Sequence, residues 1–149
     1  MAILRTEQDD MNQRIKIFIV EYDCVSLITL MLWLDQFPEF DVLGTTINTG
    51  NLQEQIAELE PDVVLLNIET PGPEDIPVLR EVKSTQSPPA VILLYHGDAE
   101  GLEGVLNSES EGQLGPDRTL GELHDAVMRA FNRRHVTRAA QLSPMAKAG

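Results

Sequence analysis

The chain has 149 residues, enough for one domain with a single buried core and little more. Its 24 acidic residues outweigh 11 basic ones, and the net charge of −13 repels phosphate backbones, which excludes direct nucleic-acid binding by this chain. A single cysteine, Cys24, excludes an internal disulfide and a thiolate metal cluster, and the longest apolar run, Leu27 to Leu34 broken by Thr29, is too short to cross a bilayer.

Met1 to Gln13 is polar and aperiodic and is read as a flexible arm without a signal-peptide core, so the expected location is cytoplasmic. Residues 14–134 carry the pattern of one domain. Ile15 to Val20 is a β-branched and aromatic run that predicts a buried strand. Val25 to Gln36 has the length and residues of a helix, closed by Pro38, and Val42 to Thr45 predicts a second short strand. Leu52, Ile56 and Leu59 recur at helical spacing before Pro61. Asp62 to Leu66 is the strongest strand signal, an unbroken apolar run suited to the middle of a parallel sheet.

Ile76, Leu79 and Val82 predict a third helix with Pro77 in its first turn, and Ala90 to Tyr95 a fourth strand. Glycines and serines between Gly97 and Gly112 predict a short, poorly held fourth helix anchored by Leu102, Val105 and Leu106. Gln113 and Leu114 suggest a brief edge strand. Leu120 to Arg134 predicts a final helix capped by Thr119 and Glu122, with Leu123, Val127 and Phe131 facing inward. Arg129, Arg133, Arg134 and Arg138 then complement the dipole near its C-terminus. Residues 135–149 read as a tail or the remnant of a linker.

Five strands alternating with five helices imply an α/β fold, a five-stranded parallel sheet wound on both faces, of the flavodoxin-like type. Such folds work at the carboxyl ends of their strands. Here those are Glu21 to Asp23, Asn67 to Gly72, Tyr95 to Asp98 and Gly115 to Asp117.

At these strand ends the chain resembles the receiver domain of bacterial two-component response regulators. Ile17 to Asp23 (IFIVEYD) is similar to that family's first strand and its acidic pair. Pro61 to Gly72 (PDVVLLNIETPG) is similar to its third strand, phosphoacceptor and Pro-Gly loop. The spacing is similar to receivers attached to helix-turn-helix output domains, without a gap from Arg14 to about Tyr95. The resemblance implies a site built from two acids that hold a divalent ion, an aspartate nucleophile, a small hydroxyl residue and a lysine.

In the matching positions stand Glu21 and Tyr22 for the acidic pair, Asn67 for the phosphoacceptor, Tyr95 for the hydroxyl residue and Pro116 for the lysine. A carboxamide is not a nucleophile toward phosphorus and forms no acyl phosphate. The resemblance therefore implies a degenerate pocket in a pseudo-receiver that is not phosphorylated. No catalytic residue, metal site or cofactor is expected.

Bland accounts compete with further chemistry. Glu21, Asp23 and Glu69 either hold a hard cation weakly or form a solvated acidic rim, and the rim is preferred. His96 reads as a loop residue and Cys24 as an ordinary helix-start residue, rather than as a base and a reactive thiol. Tyr22 and Tyr95 either seal the former pocket or line a small-molecule site, and sealing is preferred.

The first helix departs most from the family. Leu27, Ile28, Met31 and Leu32 occupy positions where polar side chains are expected, while Leu30, Trp33 and Leu34 supply the inward face. An apolar surface of this kind marks a contact with a protein partner or a second copy of the chain, unless Ile3 and Leu4, or Leu142 and Met145, fold over it. The expected function is a phosphorylation-independent regulatory interaction module, a homodimer through this helix. The alternative is a small-molecule sensor with its ligand between Tyr22, Asn67 and Tyr95; a third, an enzyme built on Glu21, Asp23, Glu69 and His96, has no substrate to suggest it.

Overall fold

In the computed structural model, strands and helices alternate without exception: β1 (Ile15–Val20), α1 (Cys24–Leu34), β2 (Phe40–Thr46), α2 (Leu52–Leu59), β3 (Val63–Ile68), α3 (Asp75–Lys83), β4 (Ala90–Tyr95), α4 (Glu103–Glu109), β5 (Gly112–Leu114) and α5 (Leu120–Gln141). The structure describes residues 14–47, 50–69, 72–97 and 103–141. The strands form one sheet in the order β2-β1-β3-β4-β5, every pair parallel. The order reverses direction between β1 and β3, which places a crevice at their carboxyl ends.

Side chains alternate across a strand, so each central strand feeds two cores. Ile15, Ile17 and Ile19 of β1, Val63 and Leu65 of β3, and Ile92 and Leu94 of β4 face one side. There they meet Leu30 and Leu34 of α1 and Leu123, Ala126, Val127 and Ala130 of α5. Phe18, Val20, Val64, Leu66, Ile68, Val91 and Leu93 face the other, against Leu52 and Ile56 of α2, Leu79 and Val82 of α3, and Leu106 of α4. Burying each such side chain is worth about 1.5–3 kcal/mol. Double-sided burial also explains why β3 reads as an unbroken apolar run rather than an alternating one.

Local signals set the helix ends. Asp23 caps α1, its carboxylate accepting from Val25 N at 3.3 Å and from the Ser26 hydroxyl at 3.0 Å. Glu60, at φ 51° and ψ 55°, turns the chain out of α2 ahead of Pro61. Thr119 and Glu122 form the expected reciprocal box, Glu122 N to Thr119 Oγ1 at 3.1 Å and Thr119 N to Glu122 Oε1 at 3.2 Å.

Several boundaries differ from expectation, with β2 covering Phe40–Thr46 instead of 42–45 and β5 beginning at Gly112. The strand β3 continues through Asn67 to Ile68, because backbone pairing with Leu94 and Tyr95 of β4 outlasts the apolar run. The helix α1 covers 24–34 instead of 25–36, with Asp35 closing it. The helix α5 runs seven residues past Arg134, carried by Arg, Ala and Gln, which favour helix without an apolar period. Arg134 is pinned beneath the sheet, donating to Asp62 Oδ1 at 3.2 Å and to the Pro88 carbonyl at 2.9 Å. The arginines therefore lie along α5 and not only at its end. Residues 1–13 and 142–149 lie outside the described residues, and with them Ile3, Leu4, Leu142 and Met145. Asp98 and Leu102 do as well.

Candidate functional site

The crevice at the ends of β1 and β3 is built on Glu21 and Asn67. Both are buried, at 1% and 6% exposure, and they are the only buried polar residues among the described ones. Parallel pairing of β1 with β3 brings them together, and Asn67 Nδ2 donates to Glu21 Oε2. Glu21 Oε1 accepts the backbone N–H groups of Tyr22 at 3.0 Å and Asp23 at 3.2 Å. Both oxygens of the buried acid are thus engaged by neutral donors, as a buried carboxylate requires. Asn67 Oδ1 is buried without a donor among the described residues.

Asn67, which the resemblance matches to the phosphoacceptor, is committed to a structural hydrogen bond. Its carboxamide is neutral, with the nitrogen lone pair delocalised into the carbonyl, and is too weak a nucleophile to attack a phosphodonor. No group of three or more His, Cys, Asp or Glu side chains with the geometry to hold a metal ion occurs among the described residues. Glu69 is exposed and contributes to the site through its backbone, its carbonyl accepting from His96 N at 3.1 Å and Gly97 N at 2.6 Å.

The two tyrosines do not act together. In the sheet order β3 lies between β1 and β4, so their strand ends are not neighbours. Tyr95 follows the parity of Val91 and Leu93 and packs against the second core. Its ring lies 3.5–3.6 Å from where a Cβ on Gly115 would stand. Tyr22 is 45% exposed. Instead of a plug there is an open depression of about 380 Å3, lined by Tyr22, Asn67, Glu69 and Asp75 among others. Burial, with the carboxylates of Glu69, Glu21 and Asp23, raises the Tyr22 phenol above its ordinary pKa, while Arg118 opposes them. Burial also raises Asp75, against the pull of the Gly72 N–H at 2.8 Å that its carboxylate accepts.

A cation does reach the site, from a position the sequence did not indicate. Pro116 is exposed in the loop after β5, whereas Arg118, two residues on, is half-buried and lines a cavity together with Asn67. Its Nη1 donates to the Gly115 carbonyl at 2.9 Å and the Tyr95 carbonyl at 3.3 Å. Desolvation lowers its pKa, with Glu21 and Tyr22 acting the other way. Loop length after a three-residue strand hid this residue; the only signal was a basic side chain just beyond Gly115-Pro116.

The outer face of α1 is apolar, with Val25 71%, Ile28 59%, Met31 41% and Leu32 64% exposed. Leu27 does not belong to it. It is half-buried and packs on the first core, because one helical step of about 100° turns it toward α5. Val25, overlooked in the sequence, takes its place. Beside Ile28, Met31 and Leu32 a groove of about 560 Å3 opens toward edge strand β2, bordered by Arg14, Asp35 and Asp41. Cys24 is exposed at the helix start, and His96 is exposed after β4.

No protein-family model matches the chain. It is 28% identical over 104 residues to a protein-glutamate methylesterase/protein-glutamine glutaminase of Halalkalibacterium halodurans, a match covering 70% of this chain and 30% of that protein. It is also 28% identical over 123 residues to the transcriptional regulatory protein YvfU of Bacillus subtilis, covering 82% of this chain and 62% of that one. The chain thus spans only about a third of the methylesterases it matches. Among solved structures, the signal receiver domain of the response regulator NarL from Mycobacterium tuberculosis superposes with a TM-score of 0.70 at 21% identity, over 80% of this chain and 98% of that domain. The chain has the fold of response-regulator receiver domains, as found in signalling and transcription regulators.

Proposed function

We propose that this chain is a pseudo-receiver, a regulatory module that works by protein contact, without phosphorylation and without catalysis of its own. One observation carries the reading: Asn67, which the resemblance matches to the receiver nucleophile, is buried and hydrogen-bonded to Glu21. A second supports it, since Arg118 spends its Nη1 on backbone carbonyls and does not face an acid that could be phosphorylated. The contact surface is the outer face of α1, and its partner is a second copy of the chain or another protein bearing an apolar helix face. The module acts in the cytoplasm and touches neither DNA nor membrane. No helix among the described residues is long and apolar enough to cross a membrane.

Incubation with acetyl phosphate and Mg²⁺, followed by intact-mass spectrometry, tests the first half of this reading. The expected spectrum is that of the unmodified protein. A gain of one phosphoryl group, mapped anywhere in the domain, contradicts it.

A further inference from the structure

Beside the apolar face of α1 lies a second open surface, the outer edge of β2. This strand ends the sheet, and its outer side has no strand partner among the described residues. Glu21 N donates to the Thr46 carbonyl, so the backbone of Thr46 turns toward β1. Alternate residues of a strand present their N–H and C=O groups to opposite sides, and those of Thr45 therefore point outward. A register shift that skips Leu43 interrupts the edge, and it ends before Thr45. An open edge takes up another strand unless a charge, a proline or a covering element blocks it. From Val42 to Thr46 the strand carries neither charge nor proline, and Thr45 is exposed.

One groove joins the two surfaces, walled by Ile28, Met31 and Leu32 of α1 and by Phe40, Asp41 and Val42 of β2. A single symmetry operation serves both. A two-fold axis normal to the sheet sets β2 antiparallel to its copy and keeps both α1 helices on the same face of the joined sheet. Paired strands lie about 4.8 Å apart and packed helices roughly 8–10 Å, so helices above the joint come within packing distance. Run antiparallel, the exposed stripe matches itself: with Ile28 near the axis, Val25 of one copy meets Leu32 of the other.

The charges agree with a second copy as occupant. At −13 the chain as a whole repels its copy, but α1 carries no charged side chain from Cys24 to Leu34. Antiparallel helices bring Asp35 at the end of one α1 toward Asp23 at the start of the other. Arg14 is exposed at the groove rim beside Asp35 and forms no ion pair among the described residues. It supplies the cation between the two acids.

We propose that two copies of this chain join β2 to β2 in one continuous sheet, with their α1 faces packed over the seam. The inference rests on the reading of α1 as the contact surface. It adds the occupant and the strand that fixes how the copies are set.

The full chain is compared as wild type, Met31→Glu and Thr45→Pro, by light scattering and by amide hydrogen exchange. The wild type is expected to be a dimer whose Thr45 N–H exchanges about tenfold more slowly, or slower still, than in monomeric Met31→Glu. Thr45→Pro removes a donor that points away from β1, and it is expected to raise the dimer Kd by about tenfold or more while circular dichroism shows the fold intact. Should that variant fail to fold, the exchange comparison decides by itself. A wild-type dimer with an unprotected Thr45 N–H, or a folded Thr45→Pro that dimerises as tightly as wild type, overturns the seam and leaves the α1 contact standing. A wild-type monomer overturns the seam and leaves α1 to a different protein. Met31→Glu that stays dimeric overturns the α1 reading itself, and the seam with it.

Discussion

At the scale of single residues, the proposed reading rests on the buried Asn67–Glu21 pair. An acid at position 67 would face a second buried acid and lose the donor that now satisfies Glu21 Oε2. Asn67→Asp is therefore expected to lower stability near neutral pH by about 1–3 kcal/mol. The sign with pH follows from linkage. The new carboxyl has a folded pKa raised above its unfolded value by its neighbour, so the folded state binds the extra proton. Stability is fully present below the unfolded pKa and is lost as pH rises through the folded one. Urea unfolding at pH 5 and pH 8 checks this: the deficit against wild type must be larger at pH 8. The sequence placed Glu21, Asn67 and Tyr95 at strand ends because the βα pattern is strong there. It missed Arg118 because a position after a three-residue strand depends on loop geometry that no periodicity encodes.

At the scale of elements, α1 is two surfaces on one helix. Leu30 is buried in the first core, while Ile28 is 59% exposed. Leu30→Ala is expected to cost about 2–5 kcal/mol in denaturant unfolding. Ile28→Gln is expected to change stability by no more than about 0.5 kcal/mol, because it removes nothing from the core. Equal costs at both positions would show that the outer face is covered within the chain. The sequence showed that the helix is apolar nearly all round, but it assigned Leu27 to the wrong side; a helix without charged residues offers little phase marker.

The turn before β2 ties to α5 through His124, whose ring lies 4.4 Å from that of Phe37 and 5.3 Å from that of Phe40, with Nε2 3.0 Å from Glu39 Oε2. That hydrogen bond holds the Glu39 carboxyl below its ordinary pKa. A depressed folded pKa gives stability that is present above the unfolded value and lost as pH falls through the folded one. The stability advantage of wild type over Glu39→Gln at pH 6 is accordingly expected to shrink below about pH 4. A constant difference across that range would remove the pair from the account.

At the scale of the whole molecule, the proposed reading gives a receiver fold that takes part in regulation by contact and not by phosphorylation. The sheet order, the two cores and the crevice between β1 and β3 were legible because five strands and five helices alternate and β3 is apolar on both faces. The length of α5 was not, since its last turns rest on helix propensity and carry no apolar stripe. An apolar α1 face that is one contiguous surface along a helix, with no charged side chain from Cys24 to Leu34, suits packing against a like surface.

The most direct test of phosphorylation-independent contact is the solution mass of the full chain by size exclusion with light scattering. Wild type and Met31→Glu are compared, each with and without acetyl phosphate and Mg²⁺. The expected result is a wild-type dimer that the phosphodonor does not change and a folded Met31→Glu monomer. A wild-type chain that associates only in the presence of the phosphodonor, or a Met31→Glu variant that still dimerises, would contradict the account.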